Sequence, residues 1–169
     1  RSGKTVKSQG HVVVYGDASA GVAAAVQAAR MGKSVILVSQ YGHLGGLSSS
    51  GLGWTDIGNS KILGGISREF YHRAYIHYQK DEAWVQQTRQ SFPKGGQGAP
   101  AFDAKTELAS VFEPKVAERI FDEMVKEAGV EVIKGRLDLK KGAIMDGQRI
   151  TGIRLEDGTK IRGEMFIDA

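Results

Sequence analysis

The sequence contains no cysteine. That absence excludes disulfides, thiolate zinc sites, iron–sulfur clusters and dithiol redox chemistry, so any electron transfer must come from an organic cofactor. No run of roughly 18 apolar residues is present, and no membrane span is expected. A charged leader with an apolar segment and a small-residue cleavage site is also missing. Arg1 stands where a starting methionine is normal, which we read as loss of an N-terminal piece by processing or cloning. The compartment is thereby left open between the cytoplasm and export after signal removal. Clustered positive charge is lacking as well. The net charge of +4 is spread along the chain, the pattern of a solvated surface and not of nucleic-acid binding. No metal site is expected.

What the chain has in excess is glycine, with 23 in 169 residues, about twice the usual share near 7%. Much of it falls between residues 42 and 65 and between 95 and 98, which marks loops and close backbone approaches. Residues 1–10 are polar and read as a flexible tail. Residues 11–15 and 34–38 are short β-branched runs, the pattern of strands buried on both faces. Between them, residues 19–31 carry apolar side chains at helical spacing and end at Gly32. Strand, glycine turn, helix and strand make a βαβ unit with a parallel pair.

Later segments are read in the same way. Residues 67–79 suggest a helix with Phe70, Tyr71, Ala74 and Tyr75 on one face. Residues 80–104 look like a polar loop excursion. Pro114 opens a second helix whose stripe is Val116, Ile120, Phe121, Met124 and Val125. Residues 130–133 read as a third buried strand. Asp146-Gly147 and Asp157-Gly158 punctuate short alternating runs, so residues 136–162 are expected to form an antiparallel β-meander. Residues 164–167 then return to a buried strand. One domain is expected over residues 11–169.

The turn after the first strand reads Gly16-Asp17-Ala18-Ser19-Ala20-Gly21. In the dinucleotide-binding fingerprint the first glycine permits the tight turn, the second lets the pyrophosphate approach, and the third lets helix pack on strand. The phosphates rest on unpaired N–H groups at the helix start. Here Ala18 replaces the middle glycine. Asp17 adds a carboxylate that must point away from a diphosphate or cap the helix. The acidic residue expected some twenty positions on is replaced by Ser39 and Gln40, which can hydrogen-bond a ribose hydroxyl only without charge assistance.

The stretches VVVYGDASAGVAAAVQAARMGKSVILV, GHLGGLSSSGLGWTD, GGISREFY, FEPKVAERIFDEMVKEAGVEV and GEMFIDA, in that order, resemble the bacterial FAD-dependent oxidoreductases. These are flavoproteins of the glutathione-reductase-like type with two dinucleotide-binding domains. The resemblance implies a Rossmann-like three-layer α/β FAD-binding domain with a parallel central sheet and a small antiparallel β-meander, here truncated. It places Gly16, Ala18, Ser19, Ala20 and Gly21 on the FAD pyrophosphate and Ser39 with Gln40 on the ribose. It places His43, Leu44, Gly45, Gly46 and Leu47 in a second glycine turn along the pyrophosphate. Residues 51–56 would lead toward the flavin, Arg136 and Leu137 would offer backbone groups to the adenine, and Ala169 would end the last cofactor-contacting strand.

The implied function is the FAD-binding portion of an oxidoreductase whose flavin takes a hydride from a small-molecule substrate. A non-catalytic nucleotide-binding or interaction module is the alternative, and an NAD(P) domain is disfavoured by Gly45-Gly46. No residue is singled out for catalysis, and His43, Trp54, Trp84, Asp56 and Asp168 read most simply as loop or packing residues. The missing C-terminal part, or an oligomer partner, is expected to cover exposed apolar surface.

Overall fold

The computed structural model describes residues 7–96 and 99–169. In chain order the elements are β1 (Lys7–Tyr15), α1 (Ser19–Arg30), β2 (Val35–Ser39), α2 (Gly65–Tyr78), the short strands β3 (Gly95–Gly96), β4 (Ala99–Pro100), β5 (Phe102–Asp103) and β6 (Leu108–Ala109), α3 (Pro114–Glu127), β7 (Glu131–Lys134), β8 (Ala143–Asp146), β9 (Arg149–Arg154) and β10 (Lys160–Asp168). They divide into two compact units. One holds the chain through Gly46 and from Asp122 onward, and the other is Leu47–Phe121. The Leu47–Phe121 unit is inserted in sequence between the two parts of the first.

The first unit is a six-stranded sheet in the order β7-β2-β1-β10-β9-β8. The pairs β7–β2, β2–β1 and β1–β10 are parallel, whereas β10–β9 and β9–β8 are antiparallel. The antiparallel segment is therefore an extension of the central sheet, joined through β10, which pairs with β1 from Lys7↔Lys160 to Tyr15↔Asp168. Three boundaries move from their expected places. The first strand begins at Lys7, inside the expected tail, because β10 offers its backbone a partner there; residues 1–6 lie outside the described residues. The hairpin strands begin at Ala143 and not near 136. The closing strand runs over nine residues.

Burial follows strand position. Val13, Ile36 and Val38 pack with Ile153, Leu155 and Ile161 in one cluster. By the alternation of the pleat, Val14 and Leu37 point the other way, the side on which α1 packs with buried Val22, Ala25 and Val26. Both faces are buried over β1 and β2, Val13 and Ile36 on one side and Val14 and Leu37 on the other. This burial does not extend to every strand. Val132 is 43% exposed on the edge strand β7, and Met165 is 66% exposed on β10, so neither is the buried strand that its apolar run suggests.

The second unit is held by aromatic rings. On α2 the buried residues are Phe70, Ala74 and Tyr78, while Tyr71 and Tyr75 are half-buried. Phe70 stacks on Phe121 with centroids 4.4 Å apart and meets Phe112 edge-on. Tyr78, Trp84, Phe92 and Phe102 form a second cluster. In the stretch expected as a loop excursion, Trp84 donates its indole N–H to the Tyr78 carbonyl, Arg89 lies over the Trp84 ring, and Phe92 is buried. Three aromatics in a polar stretch produce no periodic pattern, so this packing has no sequence signal. All six apolar residues of α3 at 116, 117, 120, 121, 124 and 125 are buried, as its stripe predicts.

Candidate functional site

The site is built at the C-terminal ends of the parallel strands of the first unit. Strand β1 stops at Gly16, whose φ of 130° is closed to side chains, and a Cβ there would overlap the Ala169 carbonyl. Gly21 lies against the Gly16 carbonyl, and its Cβ would overlap that oxygen. The third fingerprint glycine is therefore needed for close helix-to-turn packing, as its position predicts. Helix α1 begins at Ser19 with Ala18 as an extended N-cap that supplies no side-chain cap. Its ladder starts with Val22 N–H to the Ala18 carbonyl at 3.1 Å. The N–H groups of Ser19, Ala20 and Gly21 consequently have no intrahelical acceptor.

Asp17 does not cap this helix. Its carboxylate turns toward β2, where Oδ2 accepts from the Ser39 hydroxyl at 2.8 Å and from the Tyr41 N–H at 3.0 Å. The Ser39 hydroxyl in turn accepts from Gly42 N–H at 2.8 Å. Ser39 is fully buried, and its one proton is already donated to Asp17. Ser39, expected at the ribose, links the β1 and β2 turns through these bonds. The same bonds remove the electrostatic objection to Asp17, because its charge is occupied away from the helix start. Gln40, next along, is half-buried.

The second glycine turn closes over the first. Gly45 donates its N–H to the Asp17 carbonyl at 2.7 Å and forms a parallel bridge with Ala18. Gly46 has φ of 55°, and a Cβ on it would sit 3.2 Å from Ala18. Leu44 is buried and His43 is exposed. The structure thus brings residues 16–21 and 44–46 together. Leu47 is 75% exposed and falls in the other unit, as do residues 51–56.

At the far side of the strand ends, Leu137 gives its N–H to the Tyr15 hydroxyl at 3.0 Å, and the Arg136 carbonyl accepts from Glu156 N–H at 2.8 Å. Both residues were expected to offer backbone groups to an adenine; the Leu137 N–H and the Arg136 carbonyl have these partners within the protein. Beside them lies an apolar groove of about 420 Å³ lined by Tyr15, Leu137, Leu139, Ile150, Phe166 and Asp168. Sequence reading passed over Tyr15 and this groove. The available signal was a tyrosine closing a buried strand, whose hydroxyl must find a partner. Ala169 is fixed by its N–H to the Tyr15 carbonyl at 2.9 Å.

Among the described residues there is no group of His, Asp and Glu able to hold a metal. No helix among them is long and apolar enough to cross a membrane. Of the perturbed ionisable groups, Asp138 lies in the first unit, lowered by the N–H groups of Lys140 and Lys141, and Tyr78, His77 and Asp103 lie in the second. Burial pushes Tyr78 up to about 12, and burial followed by the charge of Arg119 lowers His77. The Thr106 hydroxyl, ahead of backbone N–H groups, lowers Asp103.

A family model described as FAD dependent oxidoreductase matches residues 11–169. No curated protein matches the chain. Among solved structures, L-amino acid deaminase from Proteus vulgaris is similar at TM-score 0.55 and 18% identity, over 95% of this chain and 47% of that one. L-proline dehydrogenase from P. horikoshii matches at TM-score 0.55 and 16% identity, over 97% and 53%. The 3-ketosteroid-delta4-(5alpha)-dehydrogenase from Rhodococcus jostii RHA1 matches at 0.53 and 18%, over 93% and 44%. At these identities the likeness is one of fold. The chain spans about half the length of these structures.

Proposed function

The chain belongs to the FAD dependent oxidoreductase family, and on that premise we propose that its first unit holds the pyrophosphate and adenosine portion of FAD. The observation that carries this is the uncapped start of α1 closed over by the Gly45-Gly46 turn. Three unpaired N–H groups on the positive end of a helix fit a diphosphate, and the small residues Ala18, Gly45 and Gly46 leave room for it. Asp17, the one group that would repel it, is held by Ser39 and Tyr41.

Ser19, Ala20 and Gly21 take the pyrophosphate on their N–H groups, and Ala18 lines its approach. Gln40 takes the ribose in place of Ser39. The groove beside Tyr15 and Leu137 receives the adenine face by apolar contact. When bound, FAD supplies the capacity to accept a hydride from substrate carbon, and the chain binds and orients it. The intact activity is then oxidation of a small molecule, with the residues that touch substrate outside the turns described.

A second reading, a nucleotide-binding module without catalysis, is favoured by the absence of an acidic ribose partner at Ser39. Flavin retention separates the two. The chain is mixed with FAD and desalted, and the visible flavin absorption is measured for the wild type and for Ala18→Glu. The expected result is flavin retained by the wild type and lost by the variant, with unchanged circular dichroism. Equal retention by both, or none by a folded wild type, would overturn the assignment.

A further inference from the structure

The antiparallel end of the sheet carries charge that the cofactor turns do not use. Arg154 on β9 stands directly opposite Lys160 on β10 in the pairing register. Arg162, two residues along β10, projects from the same side of that strand as Lys160. Like charges facing each other across an antiparallel pair are unfavourable, and nothing in the fold requires them. The three cations line a groove of about 360 Å³ with Ile144, Thr151 and one carboxylate, Asp146.

The buried part of the groove is also incompletely satisfied. The Nε of Arg154 is buried and has no hydrogen-bond partner. The carboxylate whose charge acts on Arg154, Asp138, is already engaged by the N–H groups of Lys140 and Lys141. Among the described residues neither Lys160 nor Arg162 has an ion-pair partner, and the Thr151 hydroxyl is given to the Ile144 carbonyl. An unpaired donor on a charged side chain is costly, and the charge of Arg154, which lines the groove, is available to an anion there.

From this geometry we infer a binding site for a phosphate group, held by the charges of Arg154, Lys160 and Arg162 that line the groove. The three cations outnumber Asp146 in the lining and Asp138 beside Arg154, and a guanidinium fork matches tetrahedral phosphate oxygens. The groove has room beyond the phosphate itself, which fits a phosphomonoester as well as the free ion. The site is separate in sequence and in its lining residues from the α1 turn, and it does not depend on the assignment of that turn.

The test is a titration of the isotopically labelled chain with inorganic phosphate at constant ionic strength, followed by amide NMR. Saturable shifts are expected at residues 152–155 and 160–162. In the double variant Lys160→Ala/Arg162→Ala, both positions being exposed, affinity should fall at least about tenfold with the fold intact. Glycerol 3-phosphate in a second arm identifies the source. Tighter binding than phosphate points to a phosphomonoester, and equal binding points to the free ion. Absence of saturable shifts in the groove, shifts confined to residues 19–21, or an unchanged response in the double variant would each overturn the proposal.

Discussion

Each of the two units is built by different means. In the sheet unit the working surface is made of backbone: glycines at 16 and 21 packed against carbonyls, an uncapped helix start, and a glycine turn bridged to Ala18. In the Leu47–Phe121 unit, side chains dominate: two aromatic clusters, an Arg73–Glu69 pair at 2.8 Å and the Tyr78–Glu113 contact. A backbone-built site is intolerant of added atoms, whereas a ring-built core is intolerant of removed ones. Substitutions of opposite kind should therefore break each unit.

The largest effect is expected from removal of a ring. Phe70 is 5% exposed and touches three other rings. Phe70→Ala should cost about 3–5 kcal/mol, read from the urea midpoint. Next is an addition in the other unit. Gly21→Ala pushes a methyl into the Gly16 carbonyl and should cost roughly 1–3 kcal/mol while abolishing flavin retention. A Phe70→Ala protein that still folds should keep its flavin; loss of flavin in both, or in neither, would erase the distinction between the units.

Smaller still is the brace between the strand turns. Ser39→Ala leaves the Asp17 carboxylate and the Gly42 N–H each short of a partner. A cost of about 1–2 kcal/mol is expected by denaturation, with flavin affinity reduced and not abolished. If Ser39 instead touched the ribose alone, affinity would drop without a change in stability.

A further effect is the pH dependence that Tyr78 gives the ring unit. Burial raises Tyr78 from its ordinary 10 to about 12, so the folded state favours the neutral phenol. Its contribution is fully present below pH 10 and is lost as pH rises toward 12, because the unfolded chain releases the proton first. Urea midpoints measured across that window should fall less steeply in Tyr78→Phe than in the wild type. Parallel slopes would contradict the burial argument.

The same contrast explains what was legible in the sequence. Periodicity and glycine spacing revealed β1, α1, β2, the stripe of α3 and the turn at Gly16–Gly21, because these rest on backbone geometry that few residue types allow. The role of Ser39 was hidden, since its partner Asp17 is 22 residues away and only the fold brings them together. The aromatic cluster of Trp84, Phe92 and Phe102 was hidden for a like reason: rings spaced eight and ten residues apart follow no helical or strand period. The joining of the meander to the central sheet depends on the long pairing of β10 with β1, which is non-local and has no sequence signature.

The most direct test of the backbone-built site is amide NMR of the isotopically labelled chain titrated with FAD. The account predicts saturable shifts at Ser19, Ala20, Gly21, Gly45 and Gly46, with the amides around Phe70 and Phe92 unmoved. Shifts concentrated in the ring unit, with the α1 turn silent in a folded chain, would contradict it.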